Sequence, residues 1–332
     1  MISLSDLSPA PGSERAARAA STPAAVRLMV TGHDGFVGQA MQAFLAAHEW
    51  QAHGRLLSWC PPQPGFEIRD EASIRRSLEH ARPDWVLHLA AQSHVPTAWA
   101  DPAGTLQVNA GGTATLLKVL ADMKFAGRVL FVSSADIYGA VPDAQLPITE
   151  DREPAPRNPY ASSKVAAEVI CRQWGRTHGL DIVIARPFNH TGPGQRADFA
   201  LPAFAREVAG IAAGRQAPKV LTGDLQVTRD FLDVRDVAAA YLALLAKGQG
   251  GHTYNVCAGR EVLLHDALMQ LLQLAGVQAE VTTDPSRLRP AEQRRVCGSH
   301  GKITASTGWQ PTIALQDTLS DLLEHWNREL QQ

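Results

Sequence analysis

The sequence predicts a doubly wound α/β fold, a parallel sheet with helices on both faces, followed by a smaller mixed α/β C-terminal lobe. Continuous apolar runs alternate with longer helical patterns from residue 26 to about 190. A glycine-rich turn directly follows the first of those runs, and after Pro187 the elements shorten and are punctuated by Gly, Pro and charge. Strands that are apolar without alternation suit a parallel sheet buried on both faces, and a βαβα order builds one.

In chain order, VRLMVTG (26–32) reads as a buried strand and FVGQAMQAFLAAHE (36–49) as the first helix. A second strand is expected to end near QAHGRLL (51–57), with FEIRD (66–70) after the third. DWVLHLAA (84–91), GRVLFVSSA (127–135) and LDIVIARP (180–187) are further buried strands, with helices over 104–123 and 160–178 between them. In the lobe, helices are expected in LPAFAREVAGIAAG (201–214), VRDVAAAYLALLAK (234–247) and VLLHDALMQLLQLAG (262–276). The expected division is a disordered leader (1–24, rich in Ala, Ser, Pro and Arg), a dinucleotide-binding domain (25–187), and a mainly substrate-binding lobe (188–332) that returns some segments to the sheet. Ligands of such sheets bind at the carboxyl ends of the strands, so a cleft between sheet and lobe is the expected site.

Bulk properties narrow the function classes. With 45% apolar residues the 332-residue chain can fill a sizeable core, and a net charge of −2 gives no footprint for nucleic acid. No apolar run approaches the ~18–20 residues of a membrane span. Cys60, Cys171, Cys257 and Cys297 are scattered without C-x-x-C spacing, which favours a reducing cytoplasm and argues against disulfide or zinc frameworks. His88, His94 and His190 match no ligand spacing, so no metal is expected, and His265 and His300 read as surface histidines.

TGHDGFVG places Gly32, Gly35 and Gly38 between the first strand and the first helix. Missing Cβ atoms allow a tight turn and close approach of a pyrophosphate, while the helix N-terminus supplies N–H donors. This is a dinucleotide-binding signal in its required context. No acid stands near the end of QAHGRLL, whereas Arg55 offers a guanidinium to a 2′-phosphate. The expected cofactor is therefore NADPH, with NADH the alternative. Phe36, Val37, Glu67, Ile68, Leu89, Ala90, Ala91 and Pro187 complete the expected contacts, Glu67 and Ile68 at the adenine edge.

SSADIYG (133–139) follows a strand, and RNPYASSKVAAE (157–168) opens a helix with Pro159 in its first turn. Tyr160 and Lys164, four residues apart, share a helical face. Carbonyl reduction by hydride needs a proton donor at the oxygen. An ammonium beside a phenol lowers its pKa, and a serine hydroxyl polarises the carbonyl. Tyr160, Lys164 and Ser134 fit those roles.

TGHDGFVG, HLAAQSHV, NAGGT, SSADIYG, YASSK and RPFNHTGPGQ, in this order, resemble the extended short-chain dehydrogenase/reductase superfamily, whose nucleotide-binding domain is a Rossmann fold. HLAAQSHV, RPFNHTGPGQ, TRDFLDVRDV, YNVCAG and RPAEQRRVCGSH extend the resemblance to enzymes of GDP-sugars, the GDP-mannose 4,6-dehydratases and, nearer, the GDP-4-keto-6-deoxy-D-mannose reductases. It spans about residues 26–328. It implies that Ser93 faces the hexose and that Asn189 contacts phosphate or sugar. Arg229 and Arg289 suit the pyrophosphate, Glu292 the nucleotide ribose; Arg294 and Arg295 stay undecided. Asn109 is expected to bridge backbone rather than touch substrate.

The same resemblance separates the two activities. The dehydratases place a catalytic glutamate two residues before the tyrosine of the strand-end motif, where this chain has the shorter Asp136, a candidate acid and substrate contact. They also carry an arginine-rich tetramer segment after the second strand, where this chain has the uncharged LLSWCPPQPG. The expectation is a reductase giving GDP-D-rhamnose for cell-surface polysaccharide such as lipopolysaccharide. Dehydratase or epimerase is the alternative. A homodimer built from helices 104–123 and 160–178 is the implied assembly.

Overall fold

The computed structural model describes residues 25–47, 49–288 and 293–331, so the leader, Arg289 and Glu292 lie outside the described residues. The first half runs β1 (Val26–Thr31), α1 (Phe36–Ala46), β2 (Gln51–Ala52), β3 (Arg55–Trp59), α2 (Glu71–Ala81), β4 (Trp85–His88), α3 (Val95–Ala100) and α4 (Pro102–Leu106). A π-helical turn at Gln107–Gly111 leads into α5 (Gly112–Asp122), β5 (Arg128–Val132), α6 (Pro159–His178) and β6 (Asp181–Pro187). The second half holds β7 (Asn189–Thr191), α7 (Ala200–Ala212), β8 (Lys219–Thr222), β9 (Thr228–Arg229), β10 (Phe231–Asp233), α8 (Val234–Lys247) and β11 (Thr253–Val256). It ends with β12 (Val262–Leu263), α9 (Leu264–Leu274), β13 (Glu280–Thr283), α10 (Gly301–Thr307) and α11 (Leu315–Gln331).

Seven strands form one sheet in the order β11-β6-β5-β4-β1-β3-β2, parallel apart from the β2–β3 hairpin. The chain leaves β1 toward β3 and then crosses back to β4, so the strand order reverses beside β1. That switch point is where a parallel sheet leaves a crevice. β4 is buried at every position, as its unbroken apolar run requires. One face of the sheet packs Val30, Leu130 and Val183 against α8 residues such as Tyr241 and Leu244, and the other packs Met29, Phe131 and Ile184 against Leu78, Leu116 and Cys171. A third apolar cluster joins α7, α9 and α11 in the lobe. Residues 253–256 supply the edge strand of the main sheet, so the chain returns there after building part of the lobe.

One expected boundary is corrected. His53 and Gly54, both with positive φ (53° and 71°), form the two-residue turn of the β2–β3 hairpin. The strand that pairs with β1 therefore begins at Arg55 rather than ending there, with Val26 opposite Leu57 and Leu28 opposite Trp59.

Candidate active site

The site is assembled at the carboxyl ends of β1, β4, β5 and β6. Gly32 has φ +68°, and a Cβ on it would lie 2.8 Å from the Ala90 backbone nitrogen. A Cβ on Gly38 would lie 2.5 Å from the Gly32 carbonyl oxygen, so the turn folds back on itself at closest approach. Gly35 caps α1 with no side chain over its first N–H groups, leaving Phe36 and Val37 to open the helix. The donors at this helix N-terminus suit a pyrophosphate.

Beside the turn lies a cavity of about 860 Å³, lined by Gly32, His33, Asp34, residues 59–68 and Ala90. It has the place and size for the adenosine half of a dinucleotide. Glu67 and the buried Ile68 are on its wall, and a Cβ on Gly112 would strike Ile68 at 2.9 Å, so that wall is held from behind. A hydrogen bond and ion pair from Arg69 hold the Glu67 carboxyl down at about 2. Leu89, Ala90 and Ala91 follow β4, and the Ala90 N–H donates to Thr31 Oγ1 at 3.2 Å.

Arg55 does not reach this cavity, which corrects its assignment to a 2′-phosphate. It stands at the amino end of β3, about 26 Å along the strands from Gly32 at ~3.3 Å per residue. Its guanidinium donates to the Ala25 carbonyl at 3.0 Å and pairs with Asp84 at 3.5 Å. The bases that line the cavity are Arg27, His33 and His80.

Helix α6 sets the proton-handling pair. Asn158 caps it, accepting from Ala161 N–H at 2.7 Å, Pro159 starts it and Gly179 ends it in the left-handed conformation. Lys164 is buried, and its ammonium donates to the Val132 carbonyl at 2.8 Å, 6.0 Å from the Tyr160 ring centre. Burial pulls the Lys164 ammonium down to about 8, opposed by Cys171 and Glu168. Ser134 caps the turn Ala135–Tyr138 and is hydrogen-bonded with the Tyr160 phenol. The expected lowering of the phenol is not found. Burial and the Asp136 charge push Tyr160 above its ordinary value, and only the Ser134 hydrogen bond acts against them. The physical reason is that the whole pair is desolvated and the ammonium is directed at a carbonyl. The structure thus brings Ser134, Asp136, Tyr160 and Lys164 together, with Asp136 exposed at the rim.

A polar chain of which the sequence announced only the Asn109 bridge supports this group. Thr113 donates to the Asn109 carbonyl at 2.6 Å, so it accepts from His88 Nε2–H at 3.1 Å, and His88 Nδ1 accepts from Thr31 at 2.7 Å. Asn109 holds the Gln92 main chain at both its N–H and carbonyl and donates to Ser163 at 2.8 Å. Burial, with the Lys164 charge, keeps His88 neutral, its pKa lowered to about 3. Below α6 the Arg186 guanidinium grips Glu168 with two bonds of 2.9 and 2.8 Å and also reaches Tyr138, which donates to Asn255 at 2.6 Å.

On the lobe side, Ser93 and Asn189 are exposed just past the ends of β4 and β6, and Pro187 closes β6. Arg229 donates to the carbonyls of Thr228 and Gln293 at 2.7 and 2.9 Å. Arg294 pairs with Asp224, and Arg295 bridges Glu261 and Asp143, which makes both of them structural ion-pair formers. Among the described residues no three His, Cys, Asp or Glu side chains gather as a metal site.

A glycine-turn dinucleotide fold with a Ser-Tyr-Lys constellation defines a short-chain dehydrogenase/reductase. The family model for GDP-mannose 4,6 dehydratase matches residues 65–322, and the chain belongs to that family. It is 46% identical over 308 residues to the GDP-6-deoxy-D-mannose reductase of Pseudomonas aeruginosa, covering 92% of this chain and 99% of the relative. A solved structure of RMD from Pseudomonas aeruginosa complexed with NADPH superposes with TM-score 0.86 at 45% identity, covering 91% and 99% of the two chains. A crystal structure described as a putative epimerase from Burkholderia cenocepacia gives TM-score 0.78 at 36% identity, covering 91% and 98%.

Proposed function

We propose that the protein reduces the C4 keto group of GDP-4-keto-6-deoxy-D-mannose with NADPH, forming GDP-D-rhamnose. The observation that carries this reading is the joint placement of Ser134, Tyr160 and Lys164 at the sheet crevice, in a chain with 46% identity to a GDP-6-deoxy-D-mannose reductase. NADPH, when bound, supplies hydride to the carbonyl carbon. Gly32, Gly35 and Gly38 with the first N–H groups of α1 would hold its pyrophosphate, and the 860 Å³ cavity its adenosine. Ser134 donates a hydrogen bond to the C4 oxygen and polarises it. Tyr160, kept protonated by burial and by Asp136, delivers its proton to that oxygen as the alkoxide forms. Lys164, whose ammonium lies 6.0 Å from the Tyr160 ring centre, would turn from the Val132 carbonyl to stabilise the phenolate left behind.

Asp136 stands where dehydratases use glutamate, one methylene shorter, and this favours reduction over loss of water. The test is direct. NADPH should be consumed with the 4-keto-6-deoxy substrate and not with GDP-mannose. Conversion of GDP-mannose without net cofactor use would establish the dehydratase reading instead.

Trp99, Leu106 and Val169 are 63%, 48% and 60% exposed on α3, α4 and α6, and these apolar faces support a homodimer. Light scattering should then give about twice the chain mass. The four free thiols support work in a reducing cytoplasm, within synthesis of deoxyhexose donors for lipopolysaccharide or similar surface polysaccharide.

A further inference from the structure

Residues 293–299 form a strap that ties the strand-end loop to the lobe. Gln293 bonds the Val141 N–H and carbonyl at 2.9 and 2.7 Å, and the Ile148 N–H donates to the Cys297 carbonyl at 2.8 Å. On the lobe side the Thr228 N–H donates to the Arg294 carbonyl at 2.8 Å, and Arg229 to the Gln293 carbonyl at 2.9 Å. One fully buried carboxylate joins these parts. Asp230 accepts from the N–H groups of Ala258 at 2.7 Å, Gly259 at 3.0 Å and Gly298 at 2.9 Å.

Those donors come from two segments far from Asp230 in sequence, the turn after β11 and the strap. Gly298 is packed so tightly that a Cβ would lie 2.6 Å from Phe188 and 2.7 Å from the Cys257 sulfur, leaving the strap no room to shift inward. Burial pushes the Asp230 carboxyl up to about 6, opposed by the three N–H donors, so at neutral pH it is charged. Arg295 of the strap also pairs with Glu261 of that turn, but among the described residues Asp230 is the side chain that bonds main-chain N–H groups of both segments.

We propose that Asp230 is a positioning residue for the nucleotide-sugar side of the site: its carboxylate locks the strap to the end of β11 and thereby fixes the Arg229 guanidinium, its sequence neighbour, in place. This rests on the nucleotide-sugar reading above. Asp230 touches neither the glycine turn nor the Ser134–Tyr160–Lys164 group, so its influence falls on substrate affinity and spares cofactor affinity. Asparagine in its place has one acceptor oxygen and an NH₂ that faces N–H donors, so at least one of the three bonds is lost.

The experiment uses the full chain. Asp230→Asn should raise KM for the 4-keto-6-deoxy sugar nucleotide by about 10-fold or more, with kcat within about 3-fold of wild type. NADPH affinity, read by quenching of tryptophan fluorescence, should not change. Trypsin should cut faster after Arg294 and Arg295 in the variant, because the strap is released. If Asp230→Asn does not accumulate as folded protein, Asp230→Glu, which keeps both oxygens on a longer arm, should show the same split more weakly. An unchanged KM with unchanged strap cleavage overturns the proposal. So does a fall of kcat, NADPH affinity and substrate affinity together, which marks a general loss of fold. If the wild-type protein neither binds GDP nor reduces the sugar nucleotide, the functional reading has failed; strap cleavage by trypsin then decides the clamp on its own.

Discussion

The sheet half and the lobe hold their functional side chains by different means. In the sheet half, Tyr160, Lys164 and Ser134 sit on α6 and just past the end of β5, and they are held inside one layered core, by Lys164 on the Val132 carbonyl and by the chain from Thr31 through His88 and Thr113 to Asn109. In the lobe, Arg229 is placed by stitches between distant segments: Asp230 to Gly298, Gln293 to Val141, Arg295 to Asp143 and Glu261. The first design gives rigid chemistry at the carbonyl.

The largest effect expected from breaking this contrast is at Tyr160. Tyr160→Phe keeps the ring and its packing but removes the proton, so kcat should fall by ~10²–10⁴ while KM for the sugar nucleotide barely moves. Steady-state kinetics of the variant checks this, and an unchanged kcat would remove Tyr160 from the mechanism. Close behind comes Glu168, which is almost fully buried and shared by Arg186 and Arg172 at 2.8 and 2.9 Å. Glu168→Gln leaves two guanidiniums without their anion, and loss of one partner of a buried pair costs about 3–5 kcal/mol. Urea denaturation measures that loss. The same change withdraws a charge that supports the Lys164 ammonium, so the alkaline fall of activity should begin at a lower pH than in the wild type.

The contrast also explains what could be read from the sequence. Gly32, Gly35 and Gly38, the Tyr160–Lys164 pair and Ser134 are local patterns, since turn chemistry and helical spacing act over a few residues, and these were legible. Asn109 was legible too, and it does hold Gln92. Arg55 was misassigned because QAHGRLL looks like one strand. The overlooked signal was His53–Gly54, a two-residue hairpin turn whose positive φ values reverse the chain and send Arg55 to the wrong end of the sheet. The phenol's direction of shift was missed for another reason: burial of Tyr160 depends on how α6 seats on the sheet, which spacing does not encode. Asp230 and the strap were invisible because they join segments 28 to 152 residues apart, whose meeting no local pattern encodes.

The smallest effect, and the one that sharpens the picture of the sheet half, is acid stability at His88. Its ring is neutral when folded, with the pKa lowered from 6.5 to about 3 by burial and the nearby Lys164 charge. The unfolded chain takes up that proton below about pH 6.5, while the folded chain resists it. The stabilisation is therefore complete above about pH 6.5 and is lost progressively as pH falls toward 3, at about 1.4 kcal/mol per unit, or about 2 kcal/mol at pH 5. His88→Gln, which cannot titrate, should be less stable than wild type at pH 7 because it loses the fitted bonds to Thr31 and Thr113. Its stability should then change by about 2 kcal/mol less between pH 7 and pH 5. Urea denaturation of both proteins at the two pH values reads this difference. Equal pH dependence in wild type and variant would mean that the folded ring takes up a proton as readily as the unfolded one, so that Thr31 accepts from it rather than donating.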